Sequence, residues 1–201
     1  MARFPTSLRK LALLSTAIVA LACTAFAGAA DRAVLKAGTF EPPAAAPGLG
    51  LAASTGGTLS LDDYRGRVVL IAFGFTACPK VCPTTLAVLA QARKRLGPRG
   101  EDVQVVFVTV DPERDDAERI RAYLRAFDST FVGGTGTAAQ LAAVRARYGV
   151  TAQRQAVGDS YTVGHSSSVY LVDREGLLRG MMPYGRPAGD FVHDIQALLA
   201  E

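Results

Sequence analysis

The stretch "RVVLIAFGFTACPKVCPTTLAVLAQARKRLG", Arg67 to Gly97, decides how this chain folds. It opens on a β-branched and aromatic run suited to a buried central strand. It closes with Leu86, Leu89, Arg93 and Leu96 at helical spacing and Gly97 as a stop. Between the two runs stand Cys78 and Cys82, each followed by a proline. A cysteine pair where a strand hands over to a helix leaves three readings open: a disulfide, a redox pair or a metal clamp.

The flanks extend this strand-helix unit. Upstream, "GGTLSLDDYRG" reads as a turn, a short strand and a turn. Downstream, "VQVVFVTV" is a second buried strand. From Pro112 to Asp128 the residues Ala117, Ile120, Leu124 and Phe127 mark one face of a helix. "TGTAAQLAAVRARYG" gives another, with Leu141, Val144 and Tyr148 inward. "SVYLVDREGLLRGMM" is a hairpin turned at "DREG", and "AGDFVHDIQALLAE" is a last amphipathic helix. Strand, helix, strand, helix, then a hairpin and a helix predict an α/β fold with a central mixed sheet flanked by helices. A thioredoxin-like fold satisfies this order and puts reactive cysteines where Cys78 and Cys82 fall.

The chain has 201 residues, 49% of them hydrophobic, enough for one ordinary core. Residues 1–30 are of another kind. Arg3, Arg9 and Lys10 precede an uncharged run from Leu11 to Ala30 that ends in small residues, the pattern of an export signal. At about 20 residues the run is also long enough to remain as a membrane anchor. Both readings place the chain beyond Asp31 outside the cytoplasm, in the periplasm, either soluble after cleavage or anchored to the inner membrane by residues 11–30. Cys23 in "ALAC" resembles a lipidation box, but Ala20 stands where leucine is usual, which favours plain signal composition. Residues 31–48, rich in Pro, Ala and Gly, read as an extended lead-in, and 49–201 as the domain proper. The net charge of +4 is spread over helices with acids interleaved. No basic cluster with aromatics appears, which excludes nucleic acid as a partner.

Proline at the start of a helix lacks only an N–H that would be unpaired anyway, so Pro83 suits the first helical position and Cys82 caps or begins the helix. There the helix dipole and Lys80 favour the Cys82 thiolate. Three residues separate the cysteines where a thioredoxin-type redox pair has two, which leaves room for an ion between the sulfurs. Two thiolates select soft ions such as monovalent copper, whereas zinc wants four ligands. Two histidines could complete a site. His193 lies about 200° around the last helix from Phe191, opposite the apolar face, and reads as solvent-facing. His165, in "DSYTVGHSSSVYLV", sits in a polar, glycine-containing loop of the kind that supplies ligands. Asp111, before Pro112, reads as a helix N-cap.

Taken together, "RGRVVLIAFGFTACPKVCPTTLAVL", "VVFVTVDPERDD", "GTGTAAQL" and "YTVGHSSSVYLVDREG" are similar in order and spacing to the Sco/SenC family of thioredoxin-like copper chaperones. The resemblance implies that Cys78 and Cys82 bind one copper ion per chain with His165 as third ligand. It also implies Asp111 as a carboxylate beside the metal. The implied partners are cytochrome c oxidase subunit II, whose binuclear copper site would be loaded, and other periplasmic copper chaperones. The rival reading is a periplasmic thiol-disulfide oxidoreductase that keeps the cysteines of that or another copper protein reduced, with Cys78 and Cys82 as the redox-active pair. A peroxide-reducing enzyme of the same fold fits less well, because a second cysteine stands so close. A purely structural disulfide poorly explains a pair flanked by prolines at a helix start. Family members commonly carry an acid where Lys80 stands and Asp where Gly164 stands, so this chain has lost negative charge near the site.

Overall fold

The computed structural model describes residues 34–201. The signal or anchor segment 1–30 and Cys23 lie outside the described residues. Two strands, β4 (Val68–Gly74) and β5 (Val103–Thr109), are buried at every one of their seven positions. They run parallel in continuous register, Val68 opposite Val103 through Gly74 opposite Thr109. Strands covered on both faces need apolar side chains on both parities, which is why "VVLIA" and "VQVVFV" do not alternate. The eight-stranded sheet has the order β1-β10-β9-β4-β5-β6-β2-β3, where β1 is Gly38–Ala45, β2 Leu51–Ala53, β3 Thr58–Leu59, β6 Val132–Thr135, β9 Val169–Val172 and β10 Leu177–Met182. Strand β6 is parallel to β5, and β9 is antiparallel to β4, so the sheet is mixed.

Among the described residues four α-helices cover it: α1 (Val81–Arg95), α2 (Ala117–Arg125), α3 (Ala138–Tyr148) and α4 (Ala188–Ala200). Side-chain parity assigns them to faces. Phe107 of β5 points with Gly74 and meets Tyr123 of α2, while Phe73 points the other way and meets Tyr148 of α3 and Tyr170 of β9. Gly133 of β6 is where α2 comes closest: a Cβ there would collide with the Ile120 side chain. A separate two-stranded hairpin, β7 (Ala152–Val157) and β8 (Ser160–His165), has no pairing with the main sheet.

Two expectations from the sequence change. Part of the stretch read as a lead-in, Gly38–Ala45, pairs with β10 as an edge strand. The chain entering it is tied down by the buried Asp194 of α4, whose carboxylate accepts the Lys36 and Ala37 N–H groups, each at 2.8 Å. Helix α2 is also shorter than the run from Pro112 to Asp128 suggests. Asp116 caps it by accepting the Arg119 N–H, and residues 111–115 form a turn closed by the Asp115 N–H on the Asp111 carbonyl. Asp111 is therefore not the helix cap.

Candidate metal centre

Strand β4 ends at Gly74, and Phe75 to Lys80 form the loop into α1. Lys80 occupies the N-cap position without a side-chain cap bond, so Cys82 is the second helical residue and Pro83 the third. A sulfur caps the helix instead, since the Cys82 N–H points at Cys78 Sγ, 3.4 Å away. This satisfies one of the donors that a helix start leaves unpaired, and it holds the two cysteines together across one turn. Both are free thiols, Cys78 partly exposed and Cys82 buried at 4% exposure.

That burial reverses the expected electrostatics of Cys82. Loss of solvent pushes its thiol well above the usual range, outweighing the opposing hydrogen bond from the Phe75 backbone. The sulfur lies against Gly74 and Phe107, and a Cβ at position 74 would stand 2.7 Å from both Cys82 Sγ and the Phe107 ring. Gly74→Ala is expected to cost about 1–3 kcal/mol through overpacking and to push the Cys82 sulfur outward. Thermal unfolding would read the first effect. The rate at which a thiol reagent labels Cys82 in a Cys78→Ser background would read the second, as an acceleration.

His165 stands at the end of β8 rather than in a loop. Its Nδ1 is 3.0 Å from the Val163 carbonyl, which can only accept, so Nδ1 carries a proton and, in the neutral ring, the lone pair is on Nε2. Nε2 faces Cys82 Sγ at 3.8 Å. The Phe75 ring meets the imidazole edge-on, with centroids 5.7 Å apart. Fold and hairpin thus bring Cys78 and His165 to one cleft, lined also by Pro79, Lys80, Val81, Thr162 and Ser167, while the buried Cys82 sulfur reaches it only through its approach to His165 Nε2. Among the described residues no group of three or more His, Cys, Asp and Glu side chains is gathered as a ready metal cage. Cys82 and His165 already face each other, and Cys78 is engaged by the helix backbone. His193 stays away, half-exposed on α4 with Nδ1 2.8 Å from Asp194.

The third sequence candidate, Asp111, is 4% exposed. Its carboxylate accepts the Tyr161 hydroxyl at 2.8 Å and Arg114 Nε at 2.5 Å. Burial and this carboxylate raise the Tyr161 phenol above its ordinary value, which keeps it a donor. Asp111 therefore reaches the hairpin that carries His165. A residue the motifs did not single out does the same for the cysteine loop: fully buried Asp115 accepts the Thr76 N–H at 2.9 Å and the hydroxyls of Thr76 and Thr109 at 2.6 and 2.7 Å.

The chain as a whole is similar to known proteins. Residues 43–200 match the SCO1/SenC family. The chain belongs to that family. A mitochondrial SCO2 homolog of Mus musculus is 37% identical over 142 residues, 69% of this chain and 56% of that protein. The chain spans about half the length of the mitochondrial relatives it matches. The structure of Bradyrhizobium japonicum ScoI with copper bound is similar at 31% identity and a TM-score of 0.71, covering 78% of this chain and all of that one. Apo Sco1 of Thermus thermophilus is similar at 34% identity and a TM-score of 0.74, covering 86% of this chain and all of that one. The SCO1/SenC chain described here accordingly has the thioredoxin-like fold.

Proposed function

We propose that this chain binds one copper ion through Cys78, Cys82 and His165 and delivers it, outside the cytoplasm, to the binuclear copper site of cytochrome c oxidase subunit II. The observation that carries the reading is the 3.8 Å between Cys82 Sγ and His165 Nε2, with the Val163 carbonyl placed to accept from the Nδ1–H tautomer. At metal–sulfur and metal–nitrogen lengths of about 2.3 and 2.1 Å, typical of a d10 ion, that separation subtends about 120° at the metal. Such an angle fits a three-coordinate centre completed by Cys78, and two thiolates with an imidazole suit monovalent copper. The copper-bound ScoI relative adds support from a similar chain. Copper is cargo in this reading. A centre with low coordination accepts an incoming thiolate before releasing one of its own, so transfer needs no free ion.

The oxidoreductase reading uses the same two sulfurs, with the more exposed Cys78 as the attacking thiol. It gives His165 no role. Anaerobic titration of the reduced domain with monovalent copper against a competing chelator separates the two. The expected result is one copper per chain, held at least about 100-fold more weakly in His165→Ala. Weak binding indifferent to His165, together with rapid exchange of an oxidised pair, would replace the chaperone by the reductase.

A further inference from the structure

The two halves of the site lie on elements that do not pair with each other. Cys78 and Cys82 belong to the loop and helix after β4, and His165 ends a hairpin outside the main sheet. Something has to set the distance between them, and the turn Asp111–Asp115 is the segment that touches both.

Its contacts divide by residue. Toward the hairpin, Asp111 takes the Tyr161 hydroxyl, and Arg114 donates from Nη1 to the Tyr161 carbonyl at 3.1 Å while its guanidinium carbon lies 3.9 Å from the Tyr161 ring centroid. Glu113 takes two bonds from Arg154 Nη1 of β7, at 2.8 and 2.9 Å, and a longer one from the Tyr161 hydroxyl at 3.4 Å. Toward the cysteine loop, Asp115 holds the N–H and hydroxyl of Thr76, and Arg119 Nε donates to the same hydroxyl at 2.8 Å. Phe75 lies between the two sides, 5.6 Å below the Arg114 guanidinium and in edge contact with His165. None of these turn residues stands against a sulfur or the Nε2 lone pair.

We propose that residues 111–115 act as a two-ended clamp that sets the separation of the cysteine pair from His165, with Arg114 and Asp115 as its positioning residues. The inference rests on the copper-site reading and deepens it. Tyr161, Val163 and His165 share one face of β8, so the contacts that fix Tyr161 fix the direction in which the imidazole leaves the strand. Groups that orient ligands without binding the ion change metal affinity by about 10–100-fold when lost.

Arg114→Ala and Thr76→Val loosen the two ends separately, and Arg114→Lys tests whether charge alone suffices. Metal-free, hydrogen exchange should quicken in β7 and β8 of Arg114→Ala, and the Phe75–His165 ring contact should vanish from the nuclear Overhauser spectrum. Exchange in β4 and β5 should not change. Loaded with copper, Arg114→Ala should bind about 10–100-fold more weakly and lose definition in its nitrogen hyperfine signal after oxidation. Thr76→Val should instead shift the sulfur-to-copper charge-transfer band and leave the hairpin's exchange as it was. Arg114→Lys should recover less than half of the lost protection, because an ammonium cannot bond Asp111 and the Tyr161 carbonyl in one plane. An unchanged ring contact in Arg114→Ala, or a loss of protection spread evenly over the whole domain, overturns the clamp. If the wild-type chain takes no copper while the metal-free results are as stated, the copper reading fails and the clamp stands.

Discussion

Cys82→Ser is expected to abolish tight copper binding while leaving the domain folded. The Cys82 sulfur is the one already facing the free lone pair of His165, and it is held there from behind by Gly74 and Phe107. A serine oxygen is smaller and harder, reaches less far toward the imidazole, and is a poor partner for a soft ion. The loss should exceed the roughly 100-fold upper range for groups that only orient ligands. Chelator competition measures it, and the unfolding midpoint supplies the control, since the substitution is nearly isosteric and removes no large apolar group. Binding retained within roughly tenfold would mean that the ion lies elsewhere, and the proposed centre would be wrong.

The largest effect on stability is expected from Phe107→Ala, at about 3–5 kcal/mol. The ring is 1% exposed on a strand buried at every position. It packs against the backbone at Gly74 and against Tyr123 of α2, with ring centroids 6.0 Å apart. Both neighbours belong to rigid elements, so the space left behind cannot close by a side-chain rotation. A urea midpoint shifted down at unchanged slope is the expected signature. In a thermal scan each kcal/mol should appear as about 2–4 °C. The same cavity would open directly behind the Cys82 sulfur, so copper affinity should fall with stability here, whereas in Cys82→Ser it falls alone. A loss below about 1 kcal/mol would show that α2 can settle onto the sheet without the ring.

The central strands and α1 were legible in the sequence because burial on both faces and helical spacing leave strong patterns, and Cys78 and Cys82 sit where that handover places them. The start of α2 was less so. Its true cap, Asp116, is one of three aspartates in "DPERDD", and nothing local distinguishes it from Asp111, whose side chain is drawn away to Tyr161. Burial at Cys82 also reversed a local argument. The dipole and Lys80 are visible in the sequence, but the sulfur's burial is not: the sulfur converges on Gly74 together with the ring of Phe107, from a strand 25 residues further along the chain. The hairpin carrying His165 did leave a signal: Gly158-Asp159, with Gly158 at φ 56°, is a two-residue hairpin turn between runs that pair from Ala152 with His165 to Val157 with Ser160. The polar side chains of those runs, exposed on most positions, hid it behind the composition of a loop. Asp115 could be found only through its partners, which lie 6 and 39 residues away.

That hairpin is hydrogen-bonded to itself along its length and to the main sheet through no strand pair. A ligand mounted on such an element can be lifted from the ion by a local opening, at a free-energy cost set by the hairpin's own contacts, those of Tyr161 with Asp111 and Arg114 among them, rather than by unfolding of the whole domain. Equilibrium grip and release rate can then be tuned separately. Substitutions in the hairpin would change how long a bound ion stays, while Cys78 in the loop and Cys82 on α1 would keep it from being lost to solvent during the exchange.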